Sequence, residues 1–208
     1  MNVEMSLQNR VTPFGEIIAT EARGTMMGNR GGRIHRDDKT LGRRRWASHH
    51  WICCELHYRD LRHEPMENGY TSLFFLDEVT ALAAGHRPCF FCRRADARRF
   101  FELMEPKLPV DEADRLVHRQ RLASAGTFAH EDRGSLPDGT MVVFENAAFA
   151  VRGPHLLRWS SHGYIELVTR TSAMTAKLLT PPLYLGILAR GFRPRWHVSA
   201  LELTGGAA

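Results

Sequence analysis

Long hydrophobic runs are absent from this chain of 208 residues, although 43% of its residues are hydrophobic. No apolar stretch approaches the roughly 20 residues that a membrane-spanning helix needs, so we expect no membrane partner. The first residues lack the basic and then apolar order of a secretory signal peptide, and we therefore expect a cytoplasmic location. The length suffices for one substantial core or for two small ones.

Cysteine is scarce, and the four cysteines lie in two clusters, Cys53 with Cys54 and Cys89 with Cys92. Clustered cysteines fit a reducing compartment and a metal ion better than they fit dispersed disulfides. The second cluster is a C-x-x-C pair that follows a helix-stopping glycine, which is typical of a tight turn that presents two thiolates to one metal. There are two alternatives to a metal site. The cysteines could act as small buried hydrophobic residues, or the C-x-x-C motif could be a redox pair, but no βαβ pattern surrounds it as a thioredoxin-like site requires.

Two thiolates do not complete a tetrahedral zinc shell, so the first cluster must supply the remaining ligands. The predicted ligands of a closed, structural zinc ion are Cys54, His57, Cys89 and Cys92. Alternation along a strand would favour Cys53 with His57, so Cys53 is the substitute for Cys54, whereas a loop would allow either cysteine. His63 and His86 are weaker candidates.

The stretch from Thr71 to Cys92 resembles the second half of the zinc domain of the Ada methyl-DNA repair proteins. It combines an aromatic strand, a short helix, an Ala-Ala-Gly-His-Arg-Pro turn and the C-x-x-C pair. The resemblance covers residues from about 46 to 94 and is loose in its first half. In that family one zinc-bound thiolate takes a methyl group from a DNA phosphotriester. Here the two clusters are further apart and a histidine replaces one thiolate, so the resemblance implies zinc binding and DNA handling rather than methyl transfer.

The segment from Arg10 to Trp51 resembles a group of bacterial proteins of unassigned function, through the patterns T-P-F-G-E-I and M-G-N-R-G-G. This resemblance implies no activity. The glycines and the single asparagine of the segment from Arg23 to His35 favour positive φ and exposed amides, so we predict a loop there. Such a loop could hold an anion or form a tight structural turn, but its spacing is neither a P-loop nor a dinucleotide-binding fingerprint.

Positive charge is unevenly distributed in this chain, which has 28 lysines and arginines against 23 acidic residues. Two arginine-rich runs, residues 30–45 and 87–99, flank the predicted metal site. A metal that joins them would place their guanidinium groups on one surface, as expected of a protein that binds a phosphate backbone. A solvated charged face is the alternative. The predicted contacts to nucleic acid, with DNA the favoured partner, are Arg30, Arg33, Arg43, Arg44, Arg45, Trp46, Arg93 and Arg94.

Catalysis is left open by the sequence. Glu16 and His35 are candidate acid and base groups, because His35 follows the glycine-rich segment and precedes two carboxylates. No hydrolase, zinc-protease, Walker or deaminase signature is complete, although residues 88–92 match the second half of the deaminase pattern. The main hypothesis is a zinc-stabilised nucleic-acid-binding protein in DNA repair or the handling of modified DNA.

Two other functional classes compete with that hypothesis. One is a small-molecule or nucleotide-processing enzyme with a structural zinc, whose pocket would lie between the glycine-rich segment and the turn from Trp159 to Tyr164. The other is a non-catalytic interaction module.

The predicted fold is α+β, with an Ada-like zinc knuckle joined to a mixed, β-rich C-terminal half. Residues 1–124 form the metal-binding and basic region, and residues 141–208 form a β-rich region packed on it, with a weak boundary at 125–140. Asp77 is predicted to cap a helix that runs to Ala84 and stops at Gly85.

One short pattern occurs twice. The stretch from Leu82 to Pro88 matches that from Leu188 to Pro194 at five of seven positions, with a helix, a glycine and Arg-Pro in each. The second copy could be an echo of the first without a metal, but we favour the same helix-ending chemistry used in two places.

Overall fold

The α+β class is confirmed by a computed structural model that describes residues 6–59, 64–67, 69–123, 136–170 and 177–206. These residues form two sheets and five helices. None of the described helices combines the length and the apolar character that crossing a bilayer requires.

The first sheet has the strand order β2-β1-β5-β3-β4-β6. Its strands are β1 (Gln8–Val11), β2 (Ile17–Ala19), β3 (Met26–Arg30), β4 (Trp51–Cys54), β5 (Leu73–Phe75) and β6 (Arg87–Pro88). Strand β3 pairs antiparallel with β4 and β5, whereas β4 and β6 run parallel, with Cys53 opposite Pro88. The ends of β4 and β6 therefore lie side by side.

The loop predicted from Arg23 to His35 is wrong over Met26–Arg30, because these residues form an interior strand. A β-carbon at Gly28 would lie 2.1 Å from the carbonyl oxygen of Ile52 on the neighbouring strand. This glycine therefore permits close approach of two backbones rather than a turn. Positive φ angles begin only at Gly31 and Gly32, after the strand has ended.

The helices are α1 (Glu78–Ala83), α2 (Arg94–Glu102), α3 (Val110–Ala123), α4 (Pro182–Ala189) and α5 (Val198–Leu203). The predicted cap of α1 is confirmed, since the carboxylate of Asp77 accepts a hydrogen bond from the amide of Thr80 at 2.9 Å. Every residue of α1 is buried. Helices α2, α3 and α4 pack together through Phe100, Val117 and Ile187.

The second sheet is antiparallel and has the strand order β10-β9-β8-β7-β11. Its strands are β7 (Met141–Phe144), β8 (Ala147–Arg152), β9 (His155–Ser160), β10 (Gly163–Thr169) and β11 (Lys177–Leu178). Helix α1 packs against this sheet, because Val79 shares a buried cluster with Met141 and Leu157. The predicted N-terminal and C-terminal regions therefore share this buried cluster, and residues 125–135 of the predicted boundary lie outside the described residues.

The turn from Trp159 to Tyr164, which the enzyme hypothesis places beside a pocket, contributes to this core. Tyr164 is buried and donates a hydrogen bond to the carboxylate of Asp77 at 2.9 Å. Trp159 donates to the hydroxyl of Thr80 at 3.1 Å. Both side chains thus hold α1 on the second sheet.

The repeated pattern ends two helices in the same way. At the end of α1, the amides of Gly85 and His86 donate to the carbonyls of Leu82 and Ala81. At the end of α4, the amides of Gly191 and Phe192 make the equivalent bonds, to Leu188 and Ile187. Both glycines have positive φ, 85° and 96°. The preferred interpretation, one helix-ending device used twice, explains the repeat.

Candidate functional site

Three cysteine side chains meet where the parallel strands β4 and β6 end. The sulfur atoms of Cys54, Cys89 and Cys92 lie within 4.8 Å of one another. The amide of Cys89 donates to the carbonyl of Cys53 at 2.9 Å, which joins the two strand ends. The amide of Phe91 donates to the Cys89 sulfur at 3.3 Å, which helps to fix the orientation of the Cys89 side chain in the turn. Three sulfurs in this arrangement lie close enough to hold a metal ion.

The three thiols influence one another's ionisation. Hydrogen bonds from Cys54 and Cys92 lower the pKa of Cys89. Hydrogen bonds to Cys89 and Cys92 raise the pKa of Cys54, and burial raises it further. Without a cation, the cluster therefore favours one thiolate supported by neighbouring thiols. A divalent cation that binds there would displace the remaining protons.

The other predicted ligands lie elsewhere. Cys53 alternates to the opposite face of β4, where it packs in the core and accepts a hydrogen bond from Arg93 at 3.6 Å. His57 is exposed and lines a different cavity, near Arg10, because the chain turns away after β4. Within the described ranges, no fourth Cys, His, Asp or Glu atom lies within 4.8 Å of all three sulfurs.

The two weaker ligand candidates have separate outcomes. His63 lies outside the described residues. His86 is buried and instead packs against Trp51 and Phe75, with ring centroids 5.1 and 4.6 Å away.

A second group of possible metal ligands, which the sequence reasoning missed, comprises His49, His50 and Asp111. Its members already bond to one another, since His49 lies 2.7 Å from Asp111. Arg115 also pairs with Asp111 at 2.8 Å. A cation would compete with this arginine, so the thiol cluster is the better metal site.

The predicted nucleic-acid contacts fall into separate environments. Arg93 is buried and pairs with Glu78 and Asp96, each at 2.7 Å. Its guanidinium therefore joins α1 to α2 and is not available to a ligand. Arg33 is exposed but pairs with Asp37, and Arg94 is exposed at the start of α2.

The next group, which we call the basic loop, comprises Arg43, Arg44, Arg45 and Trp46. All four side chains are exposed. Within the described part of the chain, none of its three arginines forms an ion pair with a carboxylate. The loop therefore presents uncompensated positive charge to solvent.

The basic loop borders a cavity of about 560 Å³, which we call the arginine cavity. Its lining includes Phe14, Gly15, Arg30, Trp46, Trp51 and Arg121. Arg30 extends from the end of β3, and its guanidinium lies 4.0 Å above the ring of Trp51 on β4. Arg121 extends from α3 and donates to the carbonyl oxygens of Ala83 and Phe14.

Two of the arginines that line this cavity, Arg30 and Arg121, are buried, and neither has an acidic partner among the described residues. Burial, together with repulsion from Arg121 and Arg45, lowers the pKa of Arg30 to about 9. Burial lowers the pKa of Arg121 to about 10. Of the described residues that line the cavity, Glu16 is the one carboxylate, and it forms no ion pair with either arginine. The electrostatic cost of these two charges is thus only partly offset, by backbone carbonyls.

The candidate catalytic pair is not brought together. Glu16 is exposed at the rim of the arginine cavity. His35 is buried, and its ring nitrogens contact the Thr71 hydroxyl at 2.7 Å and the Glu67 carbonyl at 3.1 Å. His35 is not part of the cavity lining, and its contacts join the segment after β3 to Glu67 and Thr71, which precede β5.

Comparison with family models, with curated proteins and with solved structures finds no match to this chain. The function of the protein must therefore be inferred from the chemistry of the thiol cluster, the basic loop and the arginine cavity.

Proposed function

We propose that this protein binds nucleic acid through the basic loop and that a zinc ion on the thiol cluster stabilises it. The observation that supports this function is the run of three exposed arginines, none of which pairs with a carboxylate in the described part of the chain. Surface arginines usually neighbour acidic groups, whereas a row of uncompensated guanidinium groups suits the evenly spaced charges of a phosphate backbone. The resemblance to the Ada zinc domain directs the proposal to DNA, in repair or in the handling of modified bases.

The proposed zinc has a structural role. Cys54 ends β4, while Cys89 and Cys92 follow β6, so an ion held by their sulfurs would tie the two strands together. Soft thiolate ligands favour zinc among the common divalent ions. Strand β4 also carries Trp51 at its other end, beside the arginine cavity. Zinc binding would thus hold in place the strand on which the cavity is built.

An enzymatic function has less support. Both ring nitrogens of His35 are already engaged, and Glu16 is the only one of the two candidates in the cavity. A general acid or base must reach a reacting group, and His35 does not line the cavity in which such a group would lie. We therefore assign them no catalytic role.

The test is the salt dependence of binding to labelled single-stranded and double-stranded oligonucleotides. Replacing Arg43, Arg44 and Arg45 by alanine should weaken binding to all sequences alike, because backbone contacts carry no sequence information. The slope of log affinity against log salt should fall by roughly 2 to 3, as expected for the loss of three phosphate contacts.

A control variant removes three exposed arginines from the C-terminal half, Arg158, Arg190 and Arg193. It lowers the net charge equally, so a general electrostatic effect would appear in both variants. Unchanged binding by the basic-loop variant, or an equal loss in the control, would overturn the proposal.

A further inference from the structure

The terminal nitrogens of Arg30 and Arg121 converge on one glycine at the floor of the arginine cavity. A β-carbon at Gly15 would lie 2.7 Å from Nη2 of Arg121 and 3.7 Å from Nη2 of Arg30. Gly15 also has a φ of 82°, a conformation that glycine adopts readily. The turn between β1 and β2 thus leaves room for two cationic groups side by side.

These guanidinium groups keep hydrogen-bonding capacity. Arg30 donates to the ring of His86 and to the carbonyls of Arg45 and Gly15, at 2.8 to 3.3 Å. Arg121 donates to three carbonyls. Each guanidinium carries five N–H groups, so N–H groups remain on both for an added acceptor. Two adjacent cations with unused donors favour an anion that can accept several hydrogen bonds.

Aromatic rings form the wall above these cations. Trp46 is 36% exposed, and its ring centroid lies 6.3 Å from that of Trp51. The ring of His118 lies edge-on to both, at 5.1 and 5.4 Å. The Nδ1 atom of His118 is buried and has no hydrogen-bond partner among the residues that the structure describes. The cavity therefore joins a cationic floor to a partly exposed aromatic surface with a free polar atom beside it.

The size of the cavity and its surroundings limit the kinds of ligand that it can bind. A volume of about 560 Å³ falls within the range typical of small-molecule sites, and it exceeds what a lone phosphate ion needs. Arg45 belongs both to the basic loop and to the cavity lining, so the exposed positive surface continues into the cavity.

We propose that the arginine cavity binds a single nucleotide, with its phosphate beside Arg30 and Arg121 and its base against Trp46. Planar guanidinium groups pair well with phosphate oxygens, and a base stacks on tryptophan whatever its sequence. The nucleotide can be free or can belong to a strand held on the basic loop. Binding of a nucleotide that belongs to a strand rests on the proposed function, whereas binding of a free nucleotide does not.

Calorimetric titration with adenosine 5′-monophosphate, adenosine and inorganic phosphate tests this inference. Adenosine 5′-monophosphate should bind more tightly than either part alone. Trp46→Ala should weaken the binding of the nucleotide by about tenfold or more, because a stacking contact is lost, and should leave that of inorganic phosphate unchanged. Equal affinity for the nucleotide and for inorganic phosphate, with no effect of Trp46→Ala, would overturn the assignment.

A matched pair of substitutions at Leu122 tests the charge of the cavity without touching its buried arginines. Leu122 lines the cavity on α3 and is 54% exposed, so the helix should accept a glutamate or a glutamine there. Leu122→Glu should weaken the binding of adenosine 5′-monophosphate by about tenfold relative to Leu122→Gln, because a carboxylate repels the phosphate. Identical affinities of the two variants would contradict a phosphate at this place.

Competition then identifies the source of the nucleotide. A short single-stranded oligonucleotide that displaces adenosine 5′-monophosphate would show that a strand supplies it, whereas independent binding would indicate a free nucleotide. If the mononucleotide does not bind while the oligonucleotide still binds through the basic loop, this inference fails and the proposed function stands. If the mononucleotide binds and the oligonucleotide does not, the proposed function fails and the cavity remains a nucleotide site.

Discussion

The ends of helices α1 and α4 share their backbone chemistry but differ in everything packed around it. Gly85 and Gly191 both have positive φ and make equivalent hydrogen bonds to their helices. A β-carbon at Gly85 would lie 2.6 Å from Cδ of Arg121, whereas no atom of the described residues lies within 4 Å of a β-carbon at Gly191. The first helix end is thus packed against the arginine cavity, and the second is open.

The residues that follow each glycine extend this contrast. His86 accepts a hydrogen bond from Arg30, whereas its counterpart Phe192 packs in an apolar cluster. Arg87 pairs with the buried Asp114 through two hydrogen bonds, of 2.7 and 2.8 Å, whereas its counterpart Arg193 is exposed. The two helices therefore end with the same backbone hydrogen bonds, and the side chains that follow each glycine decide whether a binding site forms there.

The largest expected difference between the two copies lies at the cysteines. If the thiol cluster holds the zinc ion proposed above, Cys89→Ser with Cys92→Ser should abolish zinc binding and destabilise the protein by roughly 5 kcal/mol or more, because the binding energy of a structural metal contributes to folding. Val198, the counterpart of Cys92 in the second copy, is 56% exposed, so Val198→Ser should change little. Chemical denaturation of both variants, with metal analysis, measures the contrast. A double serine variant as stable as the wild type would remove the distinction.

The second largest difference in stability is expected between the arginines of the two copies, Arg87 and Arg193. Arg87→Met would leave the carboxylate of Asp114 buried without its bidentate partner, at a cost of about 3 to 5 kcal/mol. Arg193→Met removes an exposed charge and should stay within about 0.5 kcal/mol of the wild type. Urea unfolding of the two variants compares them directly, and equal losses would show that burial of the pair is not what distinguishes the copies.

Substituting the glycines themselves isolates the packing difference. Gly191→Ala should cost about 1 to 2 kcal/mol, the strain of a left-handed conformation in an alanine. Gly85→Ala carries the same strain and must also displace Arg121, which adds roughly 1 to 3 kcal/mol for overpacking. Gly85→Ala should therefore have a lower melting temperature than Gly191→Ala in thermal unfolding. The reverse order would contradict the close packing at the end of α1.

The smallest effect depends on pH. Burial and the charges of Arg30 and Arg121 lower the pKa of His86 well below its usual value of 6.5, so this ring stays neutral in the folded protein. The unfolded chain binds a proton at His86 as the pH falls through about 6.5, so stability falls with acidification, by at most about 1.4 kcal/mol per pH unit. His86→Gln keeps a hydrogen-bond acceptor for Arg30 and cannot titrate.

Urea unfolding of wild type and His86→Gln between pH 7 and pH 5 checks this. Both proteins retain the thiols, so the acid release of a metal affects both, and the difference between the curves reports on His86. Parallel curves would show that the histidine is not held neutral. No comparable difference is expected for a substitution of Phe192, which has no ionisable group.

Much of the local structure could be predicted from the sequence. The cap at Asp77, the stop at Gly85 and the C-x-x-C pair depend on neighbouring residues alone, and the structure places them as predicted. Cys54 joins that pair because β4 and β6 are adjacent. The position of His57 could not be predicted, since it depends on the path of the chain after β4.

The arginine cavity escaped prediction because its lining comes from segments far apart in the sequence. One signal was present in α3, where Arg121 continues the row of buried residues Ala113 and Val117 at a spacing of four. A charged residue at the end of an apolar row indicates a buried or functional cation. The place at which it meets Arg30, beside the turn at Gly15, follows only from the tertiary fold.

The metal content of the purified wild-type protein, measured by native mass spectrometry and elemental analysis, tests most directly whether the thiol cluster holds a zinc ion. We expect one zinc ion per chain, lost when Cys89 and Cys92 are both replaced by serine. A folded wild-type protein that contains no metal, and that takes up no zinc on titration, would show that the thiol cluster is not a zinc site.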